Sequence, residues 1–226
     1  MKCIIPCAGK STRMNSNIPK VLLKVGSRTL LGHITLQWSD LVDGYVIVVS
    51  RENELLIRQH SGKAEFVVQD PLKGIADAIL QTEPYVSDNF VVALGDCLHN
   101  GKFRWNGSPK QGIGVWKTGN LLEVNKSYLV DVERGQVKRV IEKPNMHPSD
   151  VGGPLNCGMG VYFFDRRVFD YIRKTPPSTL RNEVEITNVI QNMIDSGEKI
   201  TPIWFTGKYI NITYPEDIKK AEEVLK

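Results

Sequence analysis

Gly9, Lys10, Ser11 and Thr12 stand in the order that ends a phosphate-binding P-loop, and Arg13 and Lys20 add two more cations within a few residues. Such a grouping suits a ligand rich in phosphate. A glycine lets backbone N–H groups approach the oxygens, and the cations neutralise charge as it moves to a leaving group. A P-loop also needs a first glycine five residues before Gly9, to turn the chain around the phosphates. That position is Ile4, inside an apolar run, so a P-loop phosphotransferase releasing ADP or GDP is set aside. Further along, Gly95 and Asp96 end the apolar run "FVVAL", where a carboxylate can hold a magnesium ion that takes few protein ligands.

These residues need elements that bring them together. The first half alternates "KCIIPC", "TLLGHITLQWSDL", "YVIVVS", "ENELLIRQH", "AEFVV", "GIADAILQTEPYV" and "FVVALGD", which reads as strand and helix in turn. Continuous Val/Ile runs mark strands buried on both faces, so a Rossmann-like, doubly wound α/β fold with a mostly parallel sheet is expected. Ligands on such sheets bind outside the carboxyl ends of the strands, and both "CAGKSTR" and "LGDC" lie there. In the second half "GIGVWK", "SYLVDVE", "QVKRVIEKP" and "NCGMGVYFFD" read as strands joined by turns, an antiparallel addition. A helix is expected in "RNEVEITNVIQNMIDSG", stopped by Gly197, and another in "TYPEDIKKAEEVLK", opened by a Thr213–Glu216 capping box.

The 226 residues suffice for one domain. With 41% hydrophobic and 24% charged residues and no low-complexity tract, the chain falls among folded globular proteins. The net charge of +4 is mild and its cations are dispersed, which argues against a nucleic-acid partner and suits small anionic substrates. The N-terminal run lacks the pattern of a signal peptide, and no stretch approaches the ~18 apolar residues that span a bilayer. A cytoplasmic location without membrane contact is expected. Cys3, Cys7, Cys97 and Cys157 lack C-x-x-C spacing, so reduced thiols are expected rather than a disulfide framework or zinc site.

From Ala8 to Lys20 the chain reads "AGKSTRMNSNIPK" and continues "VLLKVGSRTLL". This resembles the sugar nucleotidyltransferases, whose opening motif is A-G-x-G-T-R-[LM], a spacer, then P-K and an apolar run. The versions in N-acetylglucosamine-1-phosphate uridylyltransferases and glucose-1-phosphate thymidylyltransferases are the nearest in pattern. The resemblance implies a nucleotide-diphospho-sugar transferase fold, with about 1–110 as a nucleotide-binding half and about 111–226 as a sugar-phosphate-binding half, and a triphosphate loop of Ala8, Gly9, Lys10, Ser11 and Thr12, with Arg13 and Lys20 as catalytic cations. Ser11 replaces the second glycine, so it either tolerates the backbone geometry or adds a hydroxyl donor.

Other motifs follow in family order. "QDPLKGIADAIL" resembles the base-recognition element, implying Gln69 and Gly74 at a pyrimidine: an amide offers donor and acceptor, and a glycine lets the base lie on bare backbone. The family's metal aspartate corresponds to Asp96, which also counts as nucleotide-binding, and "KYINITYPEDI" places Asn211 as the second ligand of Mg2+. "VIEKP" implies Glu142 for sugar hydroxyls and Lys143 as a point charge for the phosphate, with a catalytic part. "LNCGMGVYFF" adds Asn156 and Gly158, and "NEVEITNVI" a structural or sugar-facing Glu183, Asn182 standing for the usual glycine. Thymidylyltransferases have a glycine after the tyrosine where this chain has Leu129 after Tyr128, which leaves the sugar open.

The implied reaction joins a pyrimidine NTP, UTP or dTTP, to a sugar 1-phosphate, giving NDP-sugar and pyrophosphate by in-line attack on the α-phosphorus. The attacking phosphate oxygen is already anionic at neutral pH, so no general base is sought, and His33, His60, His99 and His147 fall outside the motifs. Two alternatives stay open: a cytidylyltransferase acting on a sugar, polyol or choline phosphate, and a non-catalytic nucleotide-sugar-binding protein. No hexapeptide repeat is read in the 226 residues, so any homo-oligomer is expected to form through the catalytic domain itself.

Overall fold

The computed structural model describes residues 1–107, 110–178 and 182–226. Its elements in chain order are β1 (Lys2–Pro6), the hairpin β2 (Lys24–Val25) and β3 (Arg28–Thr29), α1 (Leu30–Trp38), β4 (Gly44–Val49), α2 (Glu54–His60), β5 (Glu65–Val68), α3 (Ile75–Leu80) and β6 (Asn89–Ala93). There follow β7 (Cys97–Phe103), β8 (Gly112–Thr118), α4 (Leu121–Lys126), β9 (Tyr128–Glu133), β10 (Gln136–Glu142), β11 (Leu155–Asp165), α5 (Arg167–Lys174), α6 (Ile186–Asp195), β12 (Thr201–Asn211) and α7 (Glu216–Val224).

The main sheet runs β5-β4-β1-β6-β11-β8-β12-β7, with β9 attached to β11 and β10 to β9. β5, β4, β1 and β6 pair in parallel, and Ile4 at the centre of β1 lies beside Val46 on one side and Val92 on the other. The antiparallel pairings begin where β11 joins β6 and continue through β8, β9 and β7, while β12 returns parallel to β8. This is the mixed α/β architecture that the apolar runs predict.

Alternation along the strands explains why those runs are continuous. Ile4, Val46, Val48, Phe90 and Val92 pack on one face with α3, α5 and α6. Cys3, Ile5, Ile47, Val49, Val91 and Ala93 pack on the other with α1, α2 and α7. Both faces are covered, so the central positions of these strands are apolar and polar residues such as Lys2, Glu65 and Asn89 stand only at their ends. The four cysteines are buried free thiols. Among the described residues no helix is long and apolar enough to cross a membrane.

Two expected helix starts are corrected. α6 begins at Ile186, several residues inside the segment read as helical, whose first residue, Arg181, lies outside the described residues. α7 has no Thr213–Glu216 capping box. Its first turn is closed by Asp217, whose Oδ2 accepts from the backbone N–H groups of Thr213 at 2.9 Å and Tyr214 at 3.0 Å. One buried carboxylate in the first turn thus holds both N–H groups of the segment that leads into the helix.

Candidate active site

From β1 the chain runs to β4 and β5 on one side, then crosses to β6 on the other, so strand order reverses between β1 and β6. The crevice at such a reversal is where an open α/β sheet binds its ligand. Here it is a cleft of two lobes, one of about 850 Å³ and one of about 400 Å³, which share Gly9, Lys10, Ser11, Thr12, Lys20 and Asp96.

The loop after β1 is pinned at both ends. Cys7 extends the ladder by donating to Val48 O, and Asn53 Nδ2 donates to Cys7 O at 3.0 Å. Met14 anchors a 3-10 turn over Thr12–Met14 in the core, and Val21 and Leu22 anchor a second over Lys20–Leu22. Lys10 and Arg13 stay exposed between these anchors. Ser11 sits at φ 53°, ψ 27°, left-handed backbone that glycine enters without steric cost. Its hydroxyl accepts the Lys20 N–H at 3.1 Å and donates to Gly9 O at 3.4 Å. The serine thus takes the glycine's conformation and spends its hydroxyl closing the loop.

Lys20 reaches across the junction, donating from Nζ to Asp96 Oδ2 at 2.7 Å and to Ile212 O at 2.9 Å. Gly95 lets the end of β6 come this close, since a Cβ there would lie 2.9 Å from Pro6 O and from Val21 Cγ1. Asn211, at the end of β12, stands opposite Cys97 in the ladder and lines the same lobe as Asp96. Its Oδ1 accepts from Thr213 Oγ1 at 3.3 Å and keeps a further lone pair. Asp96 and Asn211 supply hard oxygens on one wall, and a magnesium ion, which fills its other positions with phosphate oxygens and water, fits that donor set.

The larger lobe receives Gln69 and Gly74. Gln69 is 3% exposed, and its Nε2 donates to Gly74 O at 3.0 Å and Asp77 Oδ2 at 2.7 Å. Glu183 packs on Gly74, where a Cβ would meet the Glu183 Cβ at 2.9 Å, so this glutamate lies on the larger lobe. Arg51, paired with Asp70 at 2.9 Å, joins the same wall.

The smaller lobe receives Arg13, Glu142, Lys143 and Asn211. Glu142 accepts from Thr187 Oγ1 at 3.2 Å and lies 3.4 Å from Lys143 Nζ. Burial raises its carboxyl above the ordinary range, Lys143 pulls it back in part, and Glu185 adds to the rise. Lys126 also lines this lobe. Its Nζ lies 3.0 Å from Asp217 Oδ1 and 3.4 Å from Glu123 Oε1, while Glu123 Oε2 accepts the Asn211 N–H at 3.1 Å. Burial works against the Lys126 ammonium, but the two carboxylates outweigh it and raise its pKa. No motif pointed to Lys126 or Glu123. Their trace in the sequence is the aspartate of the terminal P-x-D pattern, Asp217, the partner of Lys126.

Two expected sugar-binding residues lie elsewhere. Neither Asn156 nor Gly158 lines either lobe. Asn156 Nδ2 donates to Val130 O at 3.2 Å, and the space a Gly158 Cβ would need is filled by the Tyr128 ring at 1.9 Å. Gly158 allows a close approach, as expected, but of a tyrosine rather than a sugar. Leu129 is likewise absent from the lining of both lobes, whereas Tyr128 and Tyr162 form part of the smaller one. The four histidines also stand outside both lobes.

Residues 107–221 match the family described as "Nucleotidyl transferase", and residues 3–100 match the "MobA-like NTP transferase domain". The chain is 29% identical over its whole length to the "Bifunctional protein GlmU" of Methanocaldococcus jannaschii, of which it covers 54%. It spans about half the length of the GlmU relatives it matches. It is 28% identical to the "UTP--glucose-1-phosphate uridylyltransferase AglF" of Haloferax volcanii, covering all of this chain and 96% of that one. The fold superposes on a UDP-glucose pyrophosphorylase complexed with UDP-glucose with a TM-score of 0.80 at 22% identity, over 98% of this chain and 97% of that one.

Proposed function

The chain belongs to the nucleotidyl transferase family, and we propose that it joins a pyrimidine nucleoside triphosphate, UTP or dTTP, to a sugar 1-phosphate, giving an NDP-sugar and pyrophosphate. The observation that carries this reading is the shared junction: one loop, Gly9 to Thr12, with Lys20 and Asp96, borders both lobes. A triphosphate held by the larger lobe and a phosphate monoester held by the smaller would meet there. Such a junction suits transfer between two phosphate-bearing substrates better than hydrolysis of one.

In this reading Gln69 and Gly74 meet the base, and Ala8, Gly9, Lys10, Ser11 and Thr12 follow the triphosphate. Backbone N–H groups and the Lys10, Arg13 and Lys20 cations draw charge off the departing pyrophosphate. Glu142 receives sugar hydroxyls, and Lys143 holds the incoming phosphate against the repulsion of the first anion. That phosphate needs no proton removed, which agrees with histidines that stand clear of the cleft. Asp96 and Asn211 would hold a magnesium ion, which when bound supplies positive charge to the triphosphate oxygens. Asn156 and Gly158 support the wall behind Tyr128 rather than touch the sugar.

The test is detection of the NDP-sugar by mass spectrometry after incubation with UTP or dTTP and hexose 1-phosphates, with magnesium and with excess chelator. The product should form with magnesium and vanish with chelator. Arg13→Ala should lower kcat at least about a hundredfold, the scale of losing one preorganised charge donor, with an unchanged melting temperature. Wild-type turnover in that variant would remove its leaving-group role.

A further inference from the structure

Gln69 follows β5 in the wall of the larger lobe. Both partners of its amide nitrogen, Gly74 O at 3.0 Å and Asp77 Oδ2 at 2.7 Å, are acceptors with no hydrogen to give. Turning the amide over would set its own oxygen against two other oxygens, so the partners fix which end faces them. A single helical turn supplies both, because Gly74 caps α3 and Asp77 lies three residues on, over the same face. Both amide hydrogens are therefore spent inside the protein. The carbonyl oxygen is the part of the amide left to meet a ligand.

We infer that Asp77 is a positioning residue that sets base specificity: it holds Gln69 so that only a carbonyl oxygen is offered, and the lobe selects a base edge carrying a ring N–H. Uracil and thymine carry that hydrogen on their imide nitrogen. Cytosine has an acceptor at the equivalent ring atom and can offer its exocyclic amine only by shifting along the edge. The selection works against cytosine by pairing two acceptors, which costs more than a missing contact. This rests on the reading of the larger lobe as the nucleoside triphosphate site.

An asparagine at 77 can donate as well as accept, so of the two acceptors only Gly74 O still opposes turning Gln69 over to present its N–H2 group. Binding of UTP, dTTP and CTP is measured by titration calorimetry, without any sugar phosphate, on the wild type, Asp77→Asn and Asp77→Ala, with thermal melting alongside. The wild type should bind UTP or dTTP at least roughly tenfold more tightly than CTP. Asp77→Asn should lower that ratio by at least about threefold with little change in melting temperature. Asp77→Ala leaves Gln69 only the Gly74 acceptor and should give an intermediate ratio, which keeps the inference testable should the asparagine variant fold poorly.

Equal affinities in the wild type, or a ratio unchanged in both variants, would overturn the inference. A merely structural Asp77 would lower the melting temperature and weaken all three nucleotides alike, with the same consequence. No binding of any of the three would overturn this and the proposed reaction together. A wild type that shows the expected ratio, yet releases no pyrophosphate with any sugar 1-phosphate, would contradict the reaction and leave the role of Asp77 standing.

Discussion

Ser11 shows how a departure from a motif is accommodated. Left-handed backbone costs a non-glycine residue about 1 kcal/mol, and the hydroxyl's bond to the Lys20 N–H returns about as much. Ser11→Gly should therefore change stability by less than about 1 kcal/mol in urea denaturation and leave kcat/KM within about twofold. A large loss of turnover would mean that the hydroxyl serves the substrate rather than the loop. Asn182, the other residue standing where the family has glycine, also has positive φ, at 55°. The resemblance brought Lys10, Arg13, Lys20, Gln69, Asp96, Glu142, Lys143 and Asn211 to one cleft from positions spread over most of the chain. It misplaced Asn156 and Gly158 because a motif records which residue types recur, and not which side chain fills the space beside a glycine. Only the fold reveals the Tyr128 ring over Gly158.

At the scale of elements, α7 closes the wall on which Asn211 stands. Its Asp217, whose side chain is 1% exposed, ties the Thr213 and Tyr214 N–H groups to Lys126, and Lys126 reaches Glu123, which holds the Asn211 N–H. Burial alone would raise the Asp217 carboxyl, but the two N–H groups and Lys126 outweigh it and hold the pKa below the ordinary value. Asp217→Ala leaves the Lys126 cation and two backbone donors without this partner. It should cost about 3 kcal/mol in chemical denaturation, the scale of breaking a buried pair. A loss below 1 kcal/mol would mean that water replaces the carboxylate without penalty. The strands and helices of the parallel half were legible because each buries a continuous apolar run or an amphipathic stripe. β7, β12, α4 and α5 were not read: β7 passes through exposed Asn100, Gly101 and Lys102 before Phe103, β12 opens with Thr201 and Pro202, and the helices are only six and eight residues long. Their identity comes from pairing with distant strands, which local pattern does not carry.

At the scale of the whole molecule, acid should act through His99. Its ring is wedged among Trp38, Phe103 and Phe205, Nε2 has no hydrogen-bond partner among the described residues, and burial lowers its pKa from the ordinary 6.5 to about 4. The unfolded chain then binds a proton that the folded one refuses. Stability is full above pH 6.5 and falls as pH drops from 6.5 towards 4, by up to about 3 kcal/mol. Asp217 acts in the same direction only at lower pH, as its carboxyl protonates below the ordinary 3.8. His99→Phe keeps the ring contacts and should flatten the melting temperature between pH 7 and pH 5, where the wild type declines. An equal decline in both would place the acid-sensitive group elsewhere.

In the proposed reaction the reversal of the sheet between β1 and β6 and the two lobes at that point would act as one device for bringing two phosphate groups together. Pyrophosphate release, measured with UTP, dTTP, CTP and GTP each paired with a series of sugar 1-phosphates and with choline and polyol phosphates, tests that device most directly. The predicted result is release that requires both substrates, occurs with UTP or dTTP and a sugar 1-phosphate, and matches the NDP-sugar formed mole for mole. Release of a nucleoside diphosphate in place of pyrophosphate, turnover confined to CTP, or binding of nucleotide without release under any pairing would contradict it.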